Sequence, residues 1–426
     1  MTRALRIDPE QRFACSQCGR CCHRFDVVVS AAEIDLYRKR GAGAWFRDTD
    51  GSDAAGREAF EPFPGLPAFQ RIRKRADGAC GFLSADNRCR IHEELGAAKK
   101  PLTCRLYPYA FHAAADGAVI TASFGCPTIV ANDGALISGG ESLAGIESLR
   151  EEWFALGRPK AAPLQLVQGR AIETRSARVL RESLLSMVKR DGDIRDNIRR
   201  IAATLDDLTR SRVLALSDQD FAEYVTLTVP HAASKPDAPP AREPGAIARL
   251  LQYGFLYTVT AIRADLEHPG QTRNRLRRLR LQLLAHFHGL APGLERVRVG
   301  ALKRHHVDIN AAGIRPIVFH YLRSTLETLG SSGRPLVDEL AIAASYLNAA
   351  KALAAMNADA AGTAVDRHGF TQALMEASDV SHAKNALLEW ILRRFGGGTE
   401  ALWFLTRVHH QGSPRRFTTN VRSERP

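Results

Sequence analysis

Beyond residue 126 the chain has no cysteine, although it runs to residue 426. Disulfide cross-linking of its long second part is thereby excluded. No uninterrupted apolar run reaches the roughly 18 residues a membrane span requires. The most apolar late stretch, Ala341 to Met356, is broken by Ser345, Asn348 and Lys351, so it is expected to be a packed helix. The first residues place Arg3, Arg6, Asp8, Glu10 and Arg12 where a secretory signal needs an apolar segment, which predicts a cytoplasmic protein. Walker A loops, dinucleotide-binding glycine fingerprints and a Ser-His-Asp arrangement are all missing, which removes the commonest nucleotide-dependent and serine-hydrolase classes. The glycines Gly396 to Gly398 follow a helical stretch and read as a C-cap.

Acidic residues are also in short supply. Asp and Glu total 46 against 59 Lys and Arg, a net charge of +13 that favours acidic partners in general. The densest basic run, Arg273 to Arg280, alternates with Leu276, Leu279 and Leu283 at helical spacing and reads as the solvated side of an amphipathic helix. Nucleic acid is therefore not an expected partner; a protein substrate or a redox partner is.

What the chain does have is a crowd of thiols at its start. Hydrophobic residues make up 45% and charged residues 25%, which is enough for one or more real cores, so cross-links are not needed for folding. In a reducing cytosol, clustered cysteines are more often metal ligands or catalytic thiols than disulfides. All eight, Cys15, Cys18, Cys21, Cys22, Cys80, Cys89, Cys104 and Cys126, are candidate metal ligands.

The sequence predicts an α+β protein: a small, loop-rich cysteine domain over 13–132, then mostly helical regions over 141–227 and 245–396. Short strands are expected around Asp26 to Val29 and Val119 to Ala122, with Gly41 to Pro67 as an inserted loop. Ala177, Leu180, Leu184 and Met187, then Ile194, Ile198, Ile201, Leu205 and Leu208, recur at helical spacing on either side of Asp191-Gly192-Asp193. Five prolines between Thr228 and Pro244 predict a linker or long loop.

The chemistry sits in four pieces. In Cys15-Ser-Gln-Cys18-Gly-Arg-Cys21-Cys22, two successive two-residue spacings let a turning loop aim three thiolates at one centre, as in bacterial ferredoxins. Cys22 departs from that pattern, because adjacent side chains tend to diverge, and it could serve a second site. A helical reading would instead put Cys15, Cys18 and Cys22 on one face. Cys80 and Cys89 close a small loop that ends at His92; Cys104 sits in Lys100-Pro-Leu-Thr-Cys104-Arg-Leu-Tyr-Pro108; Cys126 precedes Pro127. One dense run with scattered single ligands is the ferredoxin manner, whereas zinc sites usually pair two Cys-x2-Cys knuckles. An iron–sulfur cluster, of the 4Fe-4S type, is the favoured cofactor and zinc the alternative. His23 and His92 are weaker candidates, and the pairs His305-His306 and His409-His410 read as solvated.

These pieces together resemble the YkgJ-type cysteine-cluster family of zinc- or iron-chelating proteins, through the Cys15 to Cys22 run, the Cys80-Gly-Phe-Leu-x5-Cys89-x-Ile-His92 segment and the Lys100-Pro-x2-Cys104-Arg-x-Tyr-Pro108 segment. That resemblance spans about residues 13 to 130 and implies a metal- or iron–sulfur-binding role. The same N-terminal layout, the Cys126-Pro127 dipeptide and a helical second half are similar to the flagellin lysine-N-methylases. This second resemblance implies S-adenosylmethionine as a cofactor, a protein-lysine substrate, and a cleft between the cysteine domain and the helices near Cys104, Arg105 and Tyr107. A zinc-stabilised interaction module is the third reading.

Overall fold

The computed structural model describes residues 5–46, 58–63, 68–114, 117–157, 161–235, 237–240, 290–291, 294–298, 307–382 and 399–406. The N-terminal part is built from short pieces, because glycines, prolines and polar turns interrupt every apolar run. Two short strands, Leu5–Arg6 (β1) and Arg12–Phe13 (β2), precede the cysteine run and the helix Arg20–Arg24 (α1). Then come Val28–Ser30 (β3), the helix Ala31–Lys39 (α2), Phe60–Pro62 (β4) and Phe69–Ile72 (β5). Antiparallel pairing puts β5 between β3 and β4. The expected inserted loop, Gly41 to Pro67, thus contains a strand and a 3-10 turn at Ala42–Trp45, since alternating Ala59, Phe60 and Phe46 have a small core to fill. Residues 47–57 and 64–67 of that loop lie outside the described residues.

The helices Arg90–Leu95 (α3) and Leu102–Leu106 (α4) lead into a hairpin of Tyr109–Ala114 (β6) and Gly117–Ala122 (β7), with β1 added in parallel along β7. Both strands expected from the sequence are present, as β3 and β7. Pro127–Ala131 (α5) and Ala135–Leu136 (β8) follow, and β8 pairs antiparallel with β2.

Next comes the helical part. Gly140–Ala155 (α6), a short pair of strands at Gln165–Val167 (β9) and Arg170–Ala171 (β10), Thr174–Met187 (α7) and Ile194–Leu208 (α8) are followed by Ser211–Leu214 (α9) and Asp218–Ser234 (α10). α7 and α8 bury the residues whose spacing predicts them, Leu180, Leu184 and Met187 on one and Ile198, Ile201 and Leu205 on the other. Asp193 ends the break between them by accepting from the backbone N–H groups of Arg195 (2.7 Å) and Asp196 (3.2 Å). Asp193→Ala should therefore cost about 1 kcal/mol in denaturant unfolding, the usual worth of an N-cap; an unchanged midpoint would mean that the cap is idle.

The expected linker at Thr228 to Pro244 begins later than the prolines suggest. α10 runs through Pro230 to Ser234, because Phe221, Val225 and Val229 bury its inner face and one missing N–H does not outweigh that packing. The later helices are Arg315–Glu327 (α11), Leu336–Ala361 (α12), Arg367–His382 (α13) and Glu400–Leu405 (α14). Within the span expected to be helical, Leu290–Ala291 and Leu294–Arg298 pair as antiparallel strands. The arginine run at 273–280, His305-His306, His409-His410 and Gly396 to Gly398 lie outside the described residues. α12 contains the Ala341 to Met356 stretch, buried along nearly its whole length, and among the described residues no helix is long and apolar enough to cross a membrane.

Three cores result. One, under the cysteines, joins Val29, Ile34, Tyr37, Phe60, Phe82 and Ile91. A second lies between the β6–β7 hairpin and α6, around Phe111, Ile120, Ile137 and Ile146. The largest unites the helices and reaches back to Phe124, Cys126, Ile129 and Val130.

Candidate metal centre

The cysteine run is shaped by two residues in the left-handed region, Gln17 (φ 54°) and Gly19 (φ 71°), which turn the chain before α1 begins. The left-handed backbone at position 19 favours glycine, and a Cβ there would also press on the Asn87 side chain, 2.7 Å from its Oδ1. The first cysteine loop is thereby seated on the Cys80–Cys89 loop. Cys15 and Cys18 remain on the irregular, exposed stretch, while Cys21 and Cys22 ride on α1. The helical alternative for the whole run is thus not realised.

Backbone bonds tie the pieces together. The Cys80 N–H donates to the Cys22 carbonyl (2.9 Å), and Lys74 Nζ donates to the His23 carbonyl (2.8 Å). Cys80 and Cys89 sit in isolated bridges to Lys74 and Leu83, and the turn between them closes through Ser84, whose N–H donates to the Arg88 carbonyl and whose Oγ accepts from the Arg88 N–H. Cys104 is carried by α4, whose start is fixed by Leu102 N–H on Glu33 Oε1 (2.7 Å) and by Thr103 Oγ1 on the Val28 carbonyl (2.9 Å). Cys126 stands at the N-cap of α5, its Sγ 3.2 Å from Thr128 Oγ1.

Electrostatics sort seven of the eight thiols into two groups, leaving Cys15, which acts on Lys100. Cys21 and Cys22 have their sulfurs 4.0 Å apart, so these neighbours converge where divergence is expected. Their contact lowers the Cys21 pKa and raises that of Cys22, on which Cys80 and Cys104 also press. Burial, with Cys89 and Cys21 adding to it, pushes Cys80 up to about 12. Burial together with Cys80, Cys89 and Cys21 lifts Cys104 well above the ordinary thiol range. Cys21, Cys22, Cys80, Cys89 and Cys104 therefore lie within mutual electrostatic reach. Lys100 faces the same crowd: burial pulls its pKa down, but Cys104, Cys89, Cys15 and Cys21 outweigh it and the net shift is upward. Cys126 belongs elsewhere; burial raises it and its one thiol neighbour of consequence is Cys18.

Thiols crowded this way resist ionisation until a cation joins them, and a coordinated metal deprotonates its thiol ligands outright. A soft, all-sulfur donor set suits zinc or iron–sulfur clusters. The arrangement is gathered but open: among the described residues no three Cys, His, Asp or Glu side chains already stand close enough to hold an ion.

The other residues singled out by sequence have humbler surroundings. His23 is exposed and His92 half-buried. Tyr107 packs on Phe25 at 4.8 Å between ring centroids, and Tyr109 on Phe13 at 5.5 Å. Arg105 is not free for a cofactor carboxylate, because both of its terminal nitrogens bond to Glu152. Lys74, beside Cys80 and Cys22, escaped sequence reasoning, since nothing in its local motif marks it; Lys100 stood inside a motif and could have been found there.

No curated protein and no solved structure matches the chain. Residues 14–127, which carry all eight cysteines, match the family model CxxCxxCC, described as a candidate zinc- or iron-chelating domain.

Proposed function

We propose that the N-terminal domain binds one iron–sulfur cluster through thiolates drawn from Cys21, Cys22, Cys80, Cys89 and Cys104, with Cys15 close enough to join them. The observation that supports this reading is the five-thiol crowd flanked by Lys74 and Lys100, whose positive charges offset the anionic charge of a thiolate-ligated cluster. Cys18 and Cys126 form a separate pair that serves as a second ligand source or a redox couple. The cluster acts in electron transfer or as the reactive centre of a protein-modifying or oxidoreductase activity, and the helical regions 141–227 and 245–396 hold the partner or substrate.

Anaerobic purification followed by iron, sulfide and zinc analysis tests this directly. Brown protein with broad sulfur-to-iron absorbance and near-equal iron and acid-labile sulfide is the expected result. Colourless protein with stoichiometric zinc would replace the cluster with a structural zinc site. Chelation of the metal is expected to open the core under the cysteines first, around Phe60, Phe82 and Ile91, while the helices keep theirs, and limited proteolysis should then leave a C-terminal fragment.

A further inference from the structure

Where the N-terminal segment meets the helices lies a cavity of about 670 Å³, the size of a small-molecule site. None of the eight cysteines lines it. Its walls are largely apolar, with Val130, Leu136, Ile317 and Phe319 among them. Leu136 is exposed, which is unusual for a leucine with so many apolar neighbours at hand.

Four arginines line the same cavity, Arg12, Arg190, Arg315 and Arg367, against two carboxylates, Glu10 and Asp191. Two of the four are engaged. Arg190 is paired with Glu10 at 2.6 Å, and Arg12 donates to the Gly134 carbonyl at 3.1 Å. Arg315 and Arg367 have no such partner among the described residues. Each opens a long helix, α11 and α13; the Asp366 carboxylate already caps α13 by accepting from the Gly369 N–H at 2.7 Å, so the positive charge offered to the cavity is chiefly that of the two guanidinium groups.

A separate observation points to a ligand. His320, a turn and a half into α11, lines the cavity and is only 5% exposed; the Ile129 backbone acts on its ring, yet its Nε2 makes no hydrogen bond of good geometry. Its Nδ1 side faces Asp8 at 3.9 Å, and Asp8 is itself 3.5 Å from Arg323 Nε. A buried imidazole nitrogen left without a good hydrogen bond beside largely apolar walls is costly unless something bonds to it. We infer that this cavity binds an organic carboxylate with a sizeable apolar body, its charge met by Arg315 and Arg367 and a further hydrogen bond donated to it by His320 Nε2–H. The site is independent of the metal reading, since the cavity contains no thiol and would bind whichever metal the cysteines hold.

Calorimetric titration of the full-length, metal-loaded protein with indole-3-acetate, 3-phenylpropionate and octanoate, each beside its neutral amide, tests this. At least one acid should bind saturably and its amide about tenfold more weakly or worse, the worth of one charge-assisted contact. Arg315→Gln and Arg367→Gln should each weaken the acid about tenfold and leave the amide unchanged. Arg367 is exposed and Arg315 half-buried, so both variants should fold, with melting curves matching the parent. Equal affinity for acid and amide, no saturable binding of any acid, or full affinity in both variants would overturn the assignment.

Discussion

Cys104→Ser should yield protein with little or no bound metal, and Cys80→Ser the same. Both thiols are deeply placed among the others, so neither can be replaced from solvent, and the pKa of each is driven up by its neighbours as well as by burial. That repulsion is what a bound cation would relieve. Apparent binding free energies of structural zinc in zinc-finger peptides run to about 10–16 kcal/mol, and losing one of four ligands removes a large share of such a figure. A serine hydroxyl is a poor substitute, because it does not ionise near neutral pH and is a hard donor. Cys18→Ser is the control, since Cys18 is exposed and its electrostatic partner is Cys126. Metal per chain and visible absorbance, measured on anaerobically prepared variants, should fall to near background for Cys104 and Cys80 and stay close to the parent for Cys18. Full metal content in Cys104→Ser would disprove the proposed grouping.

Gly134→Ala should destabilise the chain by about 2–4 kcal/mol, the combined cost of a strained backbone and a clash with rigid atoms. At φ +105° the position is one that side chains rarely adopt, and the added Cβ would lie 2.5 Å from both Ala14 N and Phe13 C. Those are backbone atoms, so no rotamer change relieves the contact. The neighbourhood is also the anchor of the cysteine run: β2 pairs with β8 through Arg12 with Leu136 and Phe13 with Ala135, and Asn132 Oδ1 accepts from the Arg12 N–H at 2.7 Å. Pushing Ala14 away releases the chain immediately before Cys15. Thermal melts should shift clearly downward and metal retention should fall with them. Gly78→Ala is the comparison, because its φ is +82° but nothing lies within 4 Å of the added Cβ, so it should cost only the backbone strain of about 1 kcal/mol. Equal melting of the two variants would show that the Gly134 contact is relieved by backbone movement.

Much of this was legible in the residue order. The distribution of cysteines marks the metal domain, and the CxxCxxCC family match covers the same stretch. The helical spacing in α7 and α8 survives folding because each apolar stripe stays buried whichever helices pack against it, and Asp193 sits where a capping side chain is wanted. Local signals of this kind depend on contacts a few residues apart, which the sequence displays directly. The persistence of α10 through Pro230 was not legible, because the decision rests on what packs against Phe221, Val225 and Val229. Nor was the bond between Arg105 and Glu152, which are far apart in sequence.

The sequence by itself determined that thiols gather in the N-terminal domain, that helices follow, and that the donor set suits zinc or iron. Which thiols press on one another was decided only by tertiary structure. Cys80 and Cys104 act on Cys22, and Cys80, Cys89 and Cys21 act on Cys104, whereas the thiol acting on Cys126 is Cys18, from the same short run as Cys21. The reason is physical: spacing fixes how far apart two side chains can be along the chain, but the turn at Gln17 and Gly19, and the loops docked on it, fix which way each one points. The cavity between α11, α13 and the N-terminal segment is likewise a product of packing alone, since Asp8, His320, Arg315 and Arg367 carry no common motif and meet only when those elements close on one another.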